Sequence, residues 1–226
     1  MKKIALLTGL AALSLTLTAC GSDTPSSSTT TASNQTATKP DTSEEDKKKA
    51  EEEAKQKAAD EAKQKELAEK VKYAELTKTG FPNMTENKPE LPQQTYDFIV
   101  ANNKLFPAKT TADIQKLKGM ADKTITAKHL NKNAAPYFNK VATFAGQVVN
   151  VEEAPIDGGD TVSILHVVDN NMQSYQVLML KSSGDILQED TVRFWGVPAG
   201  GSSFSNVSGG TTNVQLFVGG HVEKQK

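Results

Sequence analysis

Val141-Ala142-Thr143-Phe144-Ala145-Gly146-Gln147-Val148-Val149-Asn150-Val151 is the stretch that sets the fold, because its apolar residues read with the period of two of a β-strand. Gly146 inside the run marks a bulge or bend. Four more runs with the same period follow, at residues 161–169, 175–180, 191–197 and 213–218, and turn-rich segments separate them. The first connections are 155–160 and 170–174. Residues 183–190 have room for one turn of helix. Pro198-Ala199-Gly200-Gly201-Ser202-Ser203 and Gly209-Gly210 read as the loop region before the last strand. The chain from residue 124 onward is therefore mainly β, with five short strands.

Upstream the pattern changes. Tyr96, Ile99, Val100 and Leu105 give residues 93–105 one apolar helical face, and Ile114, Leu117 and Met120 do the same for 111–120, with Thr110 or Thr111 as N-cap. These short helices flank the β region. Gly80-Phe81-Pro82 separates them from residues 44–76, a run of Glu, Lys, Ala and Gln with Ser43 as N-cap. Pairs such as Glu51 with Lys55 and Glu61 with Lys65 have the favourable i to i+4 order. The stripe of Ala50, Ala54, Ala58 and Ala62 buries little area, which favours a solvated single helix over a coiled-coil seam. Residues 21–43 are more than half Ser and Thr, with no aromatic residue and no Val, Ile or Leu. They read as a disordered linker without a core.

Composition excludes several chemistries. The 226 residues carry 26 basic and 27 acidic side chains, one Cys and three His. A lone Cys forms no intramolecular disulfide, and three dispersed histidines form no metal motif, so neither metal nor cofactor is expected. From residue 124 to the end, seven basic residues face nine acidic ones, the wrong sign for a groove tracking nucleic acid. The close carboxylates Glu152-Glu153, Asp157 with Asp160, and Glu189-Asp190 sit at strand ends or in loops, where solvated turn roles are expected. No serine lies in a Gly-Xaa-Ser-Xaa-Gly setting, and the glycine pairs lack the strand before and helix after that phosphate loops need. No catalytic residue is assigned, and the chain is not expected to be an enzyme.

Met1-Lys2-Lys3 followed by an apolar stretch over residues 4–17 is the pattern of an export signal. Leu17-Thr18-Ala19-Cys20-Gly21 resembles the lipobox of bacterial lipoproteins. That resemblance implies a signal peptide 1–19, cleavage before Cys20, and a diacylglyceryl anchor on its thiol that holds the protein on the outer face of the cell membrane. The remaining organisation reads as linker 20–43, helical stalk 44–78, flanking helical segment 79–123 and β-domain 124–226.

Five short strands with a glycine inside the first resemble the OB-fold, a small partly open barrel. More narrowly, His129-Leu130-Asn131-Lys132-Asn133 through Tyr137, Phe144-Ala145-Gly146-Gln147-Val148, Glu189-Asp190-Thr191-Val192, Gly196 and Gly209-Gly210 look like the OB-like domain of exported Gram-positive lipoproteins. The resemblance covers residues 124–223 and carries no catalytic residues. The exposed placement on the membrane and the lack of a catalytic set lead to the expectation of an extracytoplasmic binding module for wall glycan or an envelope protein, or else an adaptor docking on an envelope protein.

The candidate ligand-binding residues are Arg193, Trp195 and Phe204. Trp195 beside Arg193 offers a stacking surface for a sugar ring or base, or else packs under the flanking helices. Val192, Phe194 and Gly196 share one strand face and Arg193, Trp195 and Val197 the other, and the sequence does not decide which is core. Phe204, an aromatic in a Gly/Ser-rich loop, has less core to fill.

Overall fold

The computed structural model of the chain describes residues 43–156 and 159–225. The leader, Cys20, the linker up to residue 42 and Asp157 lie outside the described residues. Helix α1 runs Ser43–Gly80 and hands over to a 3-10 turn at Phe81–Asn83, where Pro82 cannot continue it. Residues 51–70 are exposed, and Glu51 pairs with Lys55 at 3.5 Å. The last turns differ. Ala74 and Thr77 are fully buried, and the Lys72 ammonium donates to Asp160 at 2.8 Å. The last turns of α1 thus pack on the globular part, while residues 51–70 are exposed.

Helix α2 spans Gln93–Ala101, α3 Thr111–Gly119 and α4 Ala127–Lys132. α2 stops short of residue 105 because the chain turns at Asn102, whose backbone N–H reaches the Phe98 and Ile99 carbonyls. The Thr110 hydroxyl caps α3 by accepting from the Asp113 N–H at 3.1 Å. α4 starts with a reciprocal capping box, in which the Thr126 N–H donates to His129 Nδ1 at 3.2 Å.

Strands β1 (Ala142–Pro155), β2 (Thr161–Val168), β3 (Ser174–Met179), β4 (Thr191–Ser205) and β5 (Thr211–Lys224) close into a ring in the order β1-β2-β3-β5-β4. Only β3 and β5 run parallel. β1 closes the ring by pairing first with β4 and then with β2, Gln147 standing opposite both Thr191 and Val168. Gly146 lies at this handover, where a Cβ would overlap the Val168 carbonyl oxygen. The bulge expected at Gly146 falls instead between Val148 and Asn150; the glycine answers a backbone approach.

The Gly/Ser stretch after Pro198 is strand. Pro198 through Ser205 pair with Phe217 back to Thr211, and the connection shrinks to residues 206–210. Two register shifts interrupt this pairing: at Trp195/Gly196, where Gly220 of β5 is passed over, and at Pro198/Gly200, where Ala199 is passed over and Gly200 takes a left-handed φ of +108°.

Both faces of β4 are buried, against different partners. Val192 and Phe194 face the barrel interior, where Phe144, Tyr175, Phe194 and Phe217 pack with ring centroids 4.7–6.1 Å apart. Trp195, Val197 and Ala199 face a second core, formed with Ala74, Phe81, Ile99 and Leu117 of the helical segments. The flanking helices thus cover much of the outer wall formed by β4 and β5.

Candidate functional site

Part of the outer wall at β2 and β3 remains open. Inward residues of β2 are buried, whereas Ile164, His166 and Val168 are half-exposed on its outer side. The β2–β3 loop and the β4–β5 hairpin stand on either side of this wall. Asp169 shapes the loop: its Oδ1 accepts from the backbone N–H groups of Asn171 and Gln173 at 2.8 and 3.0 Å, and its Oδ2 accepts from the Tyr175 hydroxyl at 3.1 Å. Burial and the Asp169 charge push the Tyr175 phenol far above its ordinary pKa. In the hairpin turn, Asn206 accepts from the Gly210 N–H at 2.9 Å, and Gly209 takes φ +78°.

Between loop and hairpin lies a groove of about 960 Å³. Amides, hydroxyls and an imidazole dominate its walls, among them Asn131, Gln173, Ser203, Asn213 and His166; no lining residue is a carboxylate, lysine or arginine. A smaller recess of about 300 Å³ shares His166 and runs past Phe204 and Gln176 toward Glu86 and Glu152. The Phe204 ring meets the His166 ring edge-on, with centroids 5.4 Å apart. Among the described residues two buried side-chain atoms have no hydrogen-bond partner, the side-chain oxygens of Gln176 and Gln215, and their residues line these two spaces.

His166 Nε2 lies 3.0 Å from Ser174 Oγ. A nucleophile–base pair of that type needs a third group orienting the base. Among the described residues no carboxylate bonds His166, and Ser174 is 5% exposed.

Burial holds the His166 imidazole below its ordinary 6.5. His221 is also low, through burial and the neighbouring Lys181 ammonium, against which Glu223 acts. Just below pH 6.5 the unfolded chain therefore binds more protons than the folded one, so the stability tied to neutral imidazoles is full above 6.5 and falls as pH drops through that value. Urea midpoints are expected to decline from pH 7 to 5, and His166→Gln with His221→Gln to flatten that decline.

The three sequence candidates do not form one site. Trp195 is 6% exposed, with the Lys118 ammonium 4.7 Å above its ring and the His221 ring 5.8 Å away, so a ligand has no open face of it to stack on. Arg193 is half-exposed near the start of β4, opposite Glu223. Only Phe204, at the far end of β4, borders the open wall.

Of the close carboxylates, Glu153, Asp160 and Asp190 have structural partners. Glu153 accepts from the Ser182 and Ser183 hydroxyls at 3.0 and 2.7 Å, Asp160 holds Lys72 and Lys109, and Asp190 bonds the Leu187 N–H and Lys224. Among the described residues no group of three or more His, Cys, Asp or Glu converges on a metal position, and no helix is long and apolar enough to cross a membrane.

Sequence reasoning missed Asn131, His166, Gln173 and Gln215 as site residues. One signal was present, since Gln215 alternates with Phe217 on a strand whose other face is Val214, Leu216 and Val218. Fold and groove together define a closed five-stranded β-domain carrying an uncharged polar groove between the β2–β3 loop and the β4–β5 hairpin. No family model matches the chain, and no curated protein matches it.

Proposed function

We propose that the chain is a membrane-anchored extracytoplasmic lipoprotein, lipidated at Cys20, whose OB-like domain is a non-catalytic binding module for a cell-envelope ligand. The ring order β1-β2-β3-β5-β4 supports the OB-like reading, because OB barrels bind through the face of strands two and three and the loops beside it. The observation that carries the functional reading is the groove on that face, whose lining has hydrogen-bonding groups and no charged side chain. Such a lining suits a ligand rich in hydroxyl and amide groups, and wall glycan has that chemistry. An anionic polymer would find no cation to meet it there.

The test is isothermal titration of the full chain in detergent with chitotetraose, a neutral N-acetylated amino-sugar tetramer, and with soluble muropeptides. Saturable binding is expected, with Phe204→Ala weakening it about tenfold by removing the ring that borders the adjoining recess and packs edge-on against His166 of the groove, and Arg193→Ala leaving it unchanged. No binding of either probe would overturn the glycan reading.

A second reading, an adaptor docking on an envelope protein, has its own support: Met172 is 82% exposed in the β2–β3 loop and Val207 is fully exposed in the hairpin turn. Apolar tips beside a groove suit a protein surface. One stoichiometric crosslinked partner, with no glycan binding, would favour it.

A further inference from the structure

The groove wall contains a run of side-chain amides whose orientation is fixed from one end. Gln173 Nε2 donates to the Ser174 carbonyl at 3.0 Å, and a backbone carbonyl only accepts. Gln173 Oε1 is therefore the end that faces Asn131 and accepts from Asn131 Nδ2 at 2.7 Å. Asn131 in turn presents Oδ1 to Gln215 Nε2 at 2.8 Å. Each amide has one orientation consistent with its neighbour, so the usual ambiguity between amide oxygen and nitrogen is removed. The run ends on Gln215 Oε1, which is buried and has no partner, in a residue 7% exposed.

An orphaned acceptor of this kind lowers stability in the free protein. Turning the Gln215 amide over would not help, since two oxygens would then oppose each other at Asn131. Three residues from α4, the β2–β3 loop and β5 thus fix the direction of the Gln215 carbonyl; its oxygen is buried behind the groove lining, so a donor from the groove reaches it only as the lining gives way by a small movement.

We propose that Gln215 Oε1 is the specificity-determining acceptor of the groove, taking a hydrogen bond from an uncharged ligand's hydroxyl or amide N–H, with Asn131 and Gln173 as positioning residues. This rests on the groove being the binding site. It makes the site selective for donors: a ligand presenting an acceptor at this point would meet an oxygen. The chemical class is a neutral oligosaccharide, whose hydroxyls and acetamido N–H groups are donors throughout.

The experiment titrates the full chain in detergent with chitotetraose and, separately, maltotetraose, alongside denaturant melts of each variant. Gln215→Met removes the acceptor at nearly constant volume. It is expected to weaken binding of the better ligand about tenfold with little change in the folding midpoint, since the unpaired buried oxygen disappears together with the Gln215 Nε2–Asn131 hydrogen bond. A purely structural glutamine would give the reverse, a lower midpoint with unchanged affinity, and that result would overturn the proposal. Asn131→Asp keeps an acceptor toward Gln215 Nε2 while losing the donor to Gln173 Oε1 and is expected to bind more tightly than Asn131→Leu, which frees the Gln215 amide to turn and loses about fivefold. Equal affinities for these two variants would also overturn it. If Phe204→Ala weakens binding and Gln215→Met does not, the groove stands and the polarised acceptor falls. If neither oligosaccharide binds the parent chain, both fall.

Discussion

Gly220→Ala is expected to destabilise the domain by about 3 kcal/mol and to lower its thermal midpoint by about 6–12 °C. Gly220 lies in β5 where the segment joining α2 to α3 crosses the barrel. A Cβ at this position would overlap the Leu105 carbonyl oxygen and sit 2.7 Å from Leu117 Cδ2. Backing away is not free, because the Gly220 carbonyl accepts from the Ala108 N–H at 3.0 Å and so ties the same two segments together. Relief of the overlap must either break that bond or shift Leu117, which is fully buried. Circular-dichroism melts check the effect. Gly119→Ala is the control, since no atom stands within 4 Å of a Cβ there and the residue ends α3, so neutrality or a slight gain is expected. Equal melting of the two variants would mean that β5 and the crossing segment are not in contact at Gly220.

The same glycine shows where sequence reading stops. The period-two runs placed the middle of all five strands, because half-buried alternation is a local property. The ends of β2 and β3 fall within one residue of their runs, whereas β4 and β5 continue well past theirs. Gly219-Gly220 and Pro198 through Gly201 have the composition of breakers, yet both stretches are strand, since what makes them strand is the partner each one approaches. Gly219 faces the Met179 and Val177 side chains, and Pro198 sits between two register shifts while its carbonyl accepts from the Thr95 hydroxyl at 3.0 Å. α4 escaped for a different reason: six residues give too little periodicity, and its capping box uses His129 where Glu or Gln is usual. At the site, Phe204 was legible as an aromatic among small residues. The amide run was not, since Gln215 and Asn131 are 84 residues apart and Asn131 and Gln173 are 42 apart. No local pattern joins residues at such distances.

Trp195→Ala is expected to destabilise the domain by about 3–5 kcal/mol while leaving oligosaccharide affinity unchanged in the protein that stays folded. The indole lies with Val197 and Ala199 in the core between barrel and helices, and Lys118 and His221 cover its faces. Truncation opens a cavity that β4 cannot close, because Thr143, whose hydroxyl donates to the Phe194 carbonyl at 2.8 Å, pins the strand one residue away. Lys118 loses its aromatic partner but keeps Glu223, so packing supplies most of the cost. Trp195 and Phe204 are nine positions apart on β4, roughly 30 Å of strand, which separates the two effects. Phe204 is half-exposed, so Phe204→Ala should weaken binding with a smaller loss of stability. Trp195 is the chain's only tryptophan, and the variant must be followed by far-ultraviolet circular dichroism rather than indole fluorescence. A Trp195→Ala variant that melted like the parent but no longer bound chitotetraose would return the ligand to the indole and remove it from the groove.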